Sequence, residues 1–267
     1  MTDHLTCCMY RSLPFCEVDG ERLFDYLNSS CLVPLRYGNC EPLRTLWDGK
    51  EEFQNDWNNE LQEWFGMVWI KCSKPHPASI GIMMPYGPRS SWHNLTISIP
   101  DSKTHQKDAY HQLLEVTDRL FELLKFDYGY LCLNSEYWYK NMMETLVDGG
   151  KILREQAVGI DWPLYLPGIY WVNYLGSAYE AAGMDWRGLP GPILNELSNG
   201  VRIRLSEIPS DWKDDPKGTW NDALTQLGIG WFFSKDGEKP YLGLGDKHRD
   251  RFAAPRGAAR SNKDQER

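Results

Sequence analysis

The sequence predicts an α+β fold in which antiparallel sheets pack against amphipathic helices, as one domain or as two similar small lobes. Three patterns support this prediction. Apolar and polar residues alternate in short segments such as residues 92–99, which is the period of a strand with one buried face. Apolar residues recur at helical spacing in residues 106–125. Turn residues between two apolar segments at residues 197–201 indicate a β-hairpin.

The elements of the first half follow in order along the chain. Strands are predicted at residues 67–72, 80–84 and 92–99, and a strand at residues 126–133 follows the helix. Residues 135–147 read as a second helix that ends at Gly149 and Gly150. One face of the helix at 106–125 carries a run of apolar residues and one threonine: Tyr110, Leu113, Leu114, Thr117, Leu120, Phe121 and Leu124.

The second half begins with a predicted strand at residues 169–175. The hairpin is expected to have the three-residue loop 198–200, which pairs Leu197 with Val201 and places most apolar groups together. A helix capped by Thr219 should end at Gly228, before a last strand at 229–234. The core stripe of that helix consists of Trp220, Ala223, Leu224 and Leu227.

Charge is unevenly distributed along the 267 residues. The net charge is −8, but residues 246–267 carry seven Lys or Arg against four Asp or Glu, which leaves the preceding body at −11. That tail has one large apolar residue, Phe252, so we expect a disordered basic tail. An acidic body repels phosphate backbones, which argues against nucleic acid as a partner and favours a basic protein.

The cysteines are concentrated near the N-terminus, but their spacing does not indicate a metal site. Five of the seven cysteines lie in the first forty residues, which show turn signals and no clear periodicity. Residues 1–45 are therefore predicted to be an irregular, Cys-rich extension. Because no CxxC pair occurs, we expect no metal site. The sequence shows neither a signal peptide nor an apolar run of about 18 residues, so we expect a cytoplasmic protein that does not interact with membranes.

No sequence motif for catalysis is found. The chain lacks the nucleophile-elbow, zinc-protease, phosphate-loop and dinucleotide-binding patterns, and its six histidines are scattered. The sequence therefore predicts no catalytic residues, no cofactor and no enzymatic activity.

The strongest candidate for a binding surface is a predicted helix over residues 48–65. Its apolar stripe consists of Phe53, Trp57, Leu61 and Trp64. Carboxylates lie on the opposite side, where they can face a basic partner while the stripe anchors the helix. Because binding energy concentrates in aromatic anchors, the neighbouring tryptophan is added to the predicted contact set. The set is Trp47, Glu52, Asp56, Glu60 and Glu63.

Three segments resemble the immunity 52 family of bacterial polymorphic-toxin immunity proteins, or a related type VI secretion immunity-like family. They are the helix 113–124 running into the aromatic strand 126–133, the strand 168–175, and the hairpin 197–205 with the helix 220–228. The resemblance implies an immunity-like α+β domain over residues 46–245. It also implies a non-enzymatic cytosolic protein that binds and blocks a toxin, commonly a restriction-endonuclease-like nuclease. The family offers no catalytic residues to transfer.

Two other interpretations stay open from the sequence. The chain could be an interaction or scaffold protein that retains the domain without a toxin partner, which the basic tail and N-terminal extension favour. It could also be an enzyme of an unrecognised type, which would require a pocket with convergent polar groups and shifted pKa values.

Overall fold

A computed structural model describes residues 3–73, 75–85, 93–100, 107–147, 150–155, 166–189, 193–214, 218–228 and 231–232. The predicted basic tail, residues 229–230 and 233–234 of the predicted last strand, and the side chains of Thr219 and Trp220 lie outside this description. The helices are α1 (Glu17–Ser29), α2 (Lys50–Glu60), α3 (Lys107–Leu123), α4 (Asn134–Asn141), α5 (Ser177–Ala181) and α6 (Gly218–Leu227), with a 3-10 helix at Pro209–Lys213. The strands are β1 (His4–Arg11), β2 (Pro34–Gly38), β3 (Thr45–Leu46), β4 (Phe65–Cys72), β5 (Ser79–Pro85), β6 (His93–Pro100), β7 (Tyr128–Leu133), β8 (Met142–Val147), β9 (Gly150–Glu155), β10 (Val172–Gly176), β11 (Ile193–Leu197) and β12 (Gly200–Arg204).

The described strands form one large sheet and one separate hairpin, which confirms the α+β fold class. The sheet has ten strands in the order β11-β12-β10-β7-β1-β6-β5-β4-β2-β3, and β8 pairs only with β9. Every pairing between these strands is antiparallel. Because a single sheet runs through both halves of the described chain, these halves do not form two separate lobes.

The N-terminal segment is ordered, so the prediction of an irregular extension over residues 1–45 is wrong. β1 lies in the middle of the sheet between β6 and β7. Its alternate residues Leu5, Cys7 and Met9 are buried, and α1 follows it. A buried free cysteine behaves as a small apolar residue, and counting Cys7 as apolar restores the strand pattern that the sequence analysis overlooked.

The two faces of the sheet are covered by different helices. On the first face, Tyr37 of β2 contacts Phe53 of α2, with ring centroids 5.2 Å apart. Tyr174 of β10 stacks on Phe121 of α3 at 5.1 Å on the same face. On the second face, α4 and α5 cover β7, where Tyr137 and Tyr179 contact the strand's tyrosines. The predicted face of α3 is confirmed, since its large aliphatic residues are buried: Leu113, Leu114, Leu120 and Leu124.

Residues 135–147 do not form one helix as predicted. The helix α4 ends at Asn141, and Met142–Val147 pairs with Gly150–Glu155 as a hairpin. Thr145 and Val147 are β-branched and favour a strand, and Gly150, interpreted as part of a helix stop, begins β9 instead.

The register of the β11–β12 hairpin also differs from the prediction. Leu197 pairs with Gly200, so the loop is Ser198-Asn199 rather than residues 198–200. The Asn199 side chain donates to the carbonyls of Phe121 and Phe126 at 3.2 and 3.1 Å. A Cβ at Gly200 would lie 2.1 Å from the Leu175 carbonyl oxygen. Contacts with distant elements therefore set a register that hairpin pairing alone could not predict.

Candidate protein-binding surface

The predicted acidic helix is present but shorter than expected. α2 spans Lys50–Glu60, and Phe53 and Trp57 anchor it with fully buried side chains. The Trp57 indole nitrogen donates to the Cys16 carbonyl at 3.0 Å, which ties α2 to the start of α1. Leu61 is partly buried at the end of the helix. Trp64 lies outside it and is 73% exposed, so its assignment to the buried stripe is wrong.

One predicted carboxylate of α2, Asp56, reaches toward Tyr37 of β2 instead of facing away from the sheet. Glu52 is exposed and Asp56 is half-buried. Burial raises the pKa of Tyr37 on β2, and the negative charges of Asp56, Glu52 and Asp48 raise it further. We call Asp48, Glu52 and Asp56, the three carboxylates whose charge acts on this phenol, the acidic row. Glu63 is exposed in the turn that follows.

Glu60, also in the predicted contact set, has a structural role at the edge of the sheet. One carboxylate oxygen accepts a hydrogen bond from the Asn39 side chain at 2.8 Å, and the other accepts from the Met67 backbone N–H at 2.9 Å. Strand β2 ends at Gly38, opposite Trp69. The Glu60 carboxylate therefore takes the place of a neighbouring strand for the first residues of β4.

Trp47 is a half-buried member of an aromatic cluster rather than a protruding anchor. Its ring stacks on Phe24, and its centroid also lies 4.7 Å from that of Phe53. Its indole nitrogen donates to the Asn28 side chain at 2.9 Å. The adjacent Leu46 on the edge strand β3 is exposed. Trp47 can thus contribute only its outer edge to a partner.

A group of exposed apolar residues lies on β4 and was not predicted from the sequence. Phe65 is 44% exposed and Trp69 is 36% exposed, and the alternation of the strand places both on the second face with half-buried Met67. Met83 of β5 lies directly opposite Met67. The sequence of β4 could have indicated this group, because the strand is apolar on both faces instead of alternating with polar residues. We call Phe65, Met67, Trp69 and Met83 the β4 patch.

A second polar cluster lies buried on the other half of the sheet. Glu136 of α4 is fully buried, and Lys140 donates to its carboxylate at 2.7 Å. Burial raises the pKa of Glu136 to about 7, and the charge of Lys140 partly opposes that rise. Lys140 also lies 5.4 Å from the centroid of the Tyr170 ring. The ion pair lies where α4 packs on β7.

The cysteines do not form a redox or metal centre among the described residues. All seven are free, and Cys7, Cys72 and Cys132 are buried. Burial raises the pKa of these three thiols, which keeps them protonated and poorly nucleophilic. In the described part of the chain, no three His, Cys, Asp or Glu side chains are grouped so that they could hold a metal ion. No helix in that part is long and apolar enough to cross a membrane.

Comparison with known proteins gives a fold relationship. No protein-family model matches the chain, and no curated protein matches it in sequence. A solved structure described as Pseudomonas aeruginosa T6SS protein PA0821 is similar, with a TM-score of 0.56 and 13% sequence identity. The match covers 94% of this chain and 82% of that one. At this identity it shows a shared fold, and the resemblance to the immunity 52 family stays a prediction.

Proposed function

We propose that this chain is a non-enzymatic, immunity-type protein that binds a basic protein toxin, such as a nuclease, and neutralises it in the cytoplasm. The acidic row of α2 is the observation that carries the proposal. Glu52 is exposed and Asp56 is half-buried on a helix that the buried side chains of Phe53 and Trp57 fix to the sheet. Fixed charge of one sign accelerates association with an oppositely charged partner and repels acidic ones.

The fold relationship supports the same interpretation. The similar structure is described as a type VI secretion protein, and immunity-like proteins of such systems were one family suggested by the sequence. The overall charge of −8 also fits a basic protein better than nucleic acid or an anionic membrane. A basic groove that binds nucleic acid would be complementary to the acidic row.

The test is protection of cells by co-expression. The product of the reading frame adjacent to the gene for this chain is expressed in bacteria with and without this protein, and binding of the purified pair is measured. We expect growth arrest by that product alone, rescue by this protein, and an association rate that falls as salt is added. A product that is harmless, or that does not bind, would refute the proposal and favour the scaffold interpretation.

The contribution of the acidic row is tested by charge reversal. The variant Glu52→Lys, Asp56→Lys and Glu63→Lys leaves the structural Glu60 intact. Its matched control reverses three exposed carboxylates elsewhere, with the same change in net charge: Glu196→Lys, Asp214→Lys and Asp222→Lys. We expect the first variant to lose roughly tenfold or more in association rate and the control to lose much less. Equal losses would show that only net charge matters.

A further inference from the structure

We propose that two copies of this chain pair their β11 strands edge to edge, which joins their two large sheets. β11 is the end strand of the ten described strands, with β12 on its inner side. An edge strand presents backbone N–H and C=O groups that can pair with another strand. The inference does not rest on the proposed function, because β11 lies eight strand positions from β2, which α2 contacts, or about 38 Å at 4.8 Å per strand.

The outward backbone groups of β11 follow from its pairing with β12. Leu197 and Gly200 close the two-residue loop, so this pair exchanges both hydrogen bonds, and such pairs alternate with pairs that exchange none. Asn195 therefore bonds to β12, whereas the N–H and C=O groups of Leu194 and Glu196 point away from it. Within the described residues, these groups have no hydrogen-bond partner. β11 thus offers two donors and two acceptors to an incoming strand.

β11 differs from a protected edge strand. Natural edges are commonly kept from pairing by very short strands, by Lys or Pro residues, or by β-bulges. The other end of the described sheet follows this rule, since β3 has two residues. β11 has five residues, contains neither Lys nor Pro, and pairs with β12 without a shift of register. Its length and regular pairing are therefore suited to the addition of another strand.

The sequence of β11 is complementary to itself in an antiparallel arrangement, and this identifies a second copy as the partner. With a twofold axis at Asn195, Leu194 of one copy lies opposite Glu196 of the other, and these are the residues whose backbone groups point outward. Each such pair exchanges both of its hydrogen bonds. In the same register Ile193 lies opposite Leu197, so apolar residues meet at both ends of the paired strands. No two carboxylates lie directly opposite each other.

The β11–β12 hairpin is held in place before a second copy arrives. The Asn195 side chain donates to Asp118 of α3 at 3.1 Å, and the Ser198 N–H donates to Glu122 of the same helix at 2.7 Å. Arg202 of β12 also donates to Asp118, at 2.5 Å. Because these bonds fix the hairpin on α3, little backbone freedom is lost when a strand is added.

Charge sets the conditions under which the copies associate. Each copy has a net charge of −8, so the copies repel one another, and added salt screens that repulsion. At the edge the repulsion is reduced by Arg187, whose pKa is raised by its bond to Glu180 and also by the charge of Glu196. Association through β11 should therefore strengthen as salt is added, which is opposite to the salt dependence expected for a basic partner.

The experiment is sedimentation equilibrium of the purified full chain from about 10 μM to about 1 mM protein, at low and high salt. We expect a monomer–dimer equilibrium. The test variant Leu194→Pro removes one outward N–H and no bond to β12, and its control Leu194→Ala loses the side chain but keeps that N–H. The dimer of the Pro variant should be weaker roughly tenfold or more, because each copy loses one bond. The Ala control should stay within roughly threefold of the unmodified protein.

Amide hydrogen exchange gives a second measurement that needs no substitution. The outward N–H groups of Leu194 and Glu196 should exchange more slowly as the protein concentration rises, because pairing with a second copy protects them. The amides of β3, at the other end of the sheet, should exchange at rates independent of concentration. Circular dichroism and urea midpoints show whether each variant folds, and the exchange measurement still decides the matter if Leu194→Pro does not.

Three results would overturn the proposal. The first is a monomer at every protein and salt concentration. The second is a dimer whose affinity Leu194→Pro leaves unchanged, since another surface would then join the copies. The third is a monomer whose Leu194→Pro variant no longer binds the product of the adjacent reading frame, which would assign the edge to that partner. The charge-reversal test of the acidic row is read on α2, so the two proposals fail separately.

Discussion

Replacing Glu136 by Gln should stabilise the protein at alkaline pH, although the substitution removes one partner of a buried ion pair. The Glu136 side chain is completely buried, and its contact with Lys140 is 2.7 Å. Burial raises the pKa of this carboxyl from 4.5 to about 7, even with the opposing charge of Lys140 included. The cost of removing the carboxylate from water therefore exceeds the attraction of the ion pair, as buried pairs often show.

The sign of the pH effect follows from proton binding. Between pH 4.5 and 7 the native carboxyl keeps its proton and the unfolded one releases it, so the native state binds more protons. The free energy of unfolding then decreases as the pH rises. The contribution of Glu136 to stability is fully present below pH 4.5 and is lost as the pH passes 7. A shift of this size corresponds to about 3 kcal/mol, at 1.36 kcal/mol per pKa unit.

The assay is urea denaturation of the unmodified protein and the Glu136→Gln variant at intervals from pH 4.5 to 8. Gln has nearly the shape of the protonated acid, so the two proteins should have similar stability at pH 4.5. By pH 8 the variant should be more stable by about 3 kcal/mol. Other shifted groups, such as Asp118 and Asp127, whose pKa values burial raises, cancel in the difference. The same substitution at exposed Glu21 measures the effect of removing one surface charge.

Two results would refute this reasoning. A difference between the two proteins that does not change with pH would mean that the native carboxyl titrates like the unfolded one. A variant that is several kcal/mol less stable at pH 8 would mean that the attraction of Lys140 outweighs the cost of burial. The first result would mean that the attraction of Lys140 just offsets the cost of burial, and the second would assign the ion pair a stabilising role.

Three further substitutions test the core and the edge of the sheet. Burial, followed by the charge of Arg11, lowers the pKa of His93 to about 4, so stability is lost as the pH falls from 6.5 to 4. His93→Leu should remove that loss of stability, which amounts to up to about 3 kcal/mol at pH 4. Parallel acid-denaturation curves for the variant and the unmodified protein would contradict this prediction. Leu120→Ala should cost about 2–5 kcal/mol by forming a cavity, and an unchanged urea midpoint would count against the buried face of α3. Glu60→Ala should lower the free energy of unfolding by about 1–3 kcal/mol, because it leaves the Met67 N–H without its acceptor. The control Glu52→Ala should change it by no more than about 0.5 kcal/mol. Equal urea midpoints for the two variants would show that Glu60 does not support the edge of β4.

The sequence predicted elements whose periodicity reflects local burial. The face of α3 containing Leu113, Leu120 and Leu124 repeats at helical spacing, and the structure buries these residues as expected. The central position of β1 was missed because the Cys-rich N-terminus was interpreted as an irregular extension, whereas Cys7 fills the core as a small apolar residue. Hydrophobic patterns therefore predict a strand or helix well when the buried residues are typical apolar ones. They mislead when a cysteine, which can also be reactive or bind metal, is simply buried in the core.

Features that depend on distant contacts were beyond the sequence. The loop of the β11–β12 hairpin is held by Asn199, which bonds to carbonyls more than seventy positions earlier in the chain. Glu60 looked like one carboxylate of an acidic row, and its role depends on strand β2 ending at Gly38. A helical spacing shows which side of a helix faces outward, but it cannot show which outward residue meets a neighbouring strand.

The junction between α2 and β4 fixes the acidic helix to the sheet. A Cβ at Gly66 would lie 2.0 Å from the Glu60 carbonyl oxygen, so the end of the helix contacts the backbone of the strand directly. The turn between them is closed by a hydrogen bond from the Glu63 N–H to the same carbonyl at 3.2 Å. With the Glu60 carboxylate also accepting the Met67 N–H, the end of α2 and the start of β4 form one rigid unit. A partner attracted by the carboxylates of α2 would therefore meet a helix whose position is fixed before binding, and such preorganisation reduces the entropy lost on binding.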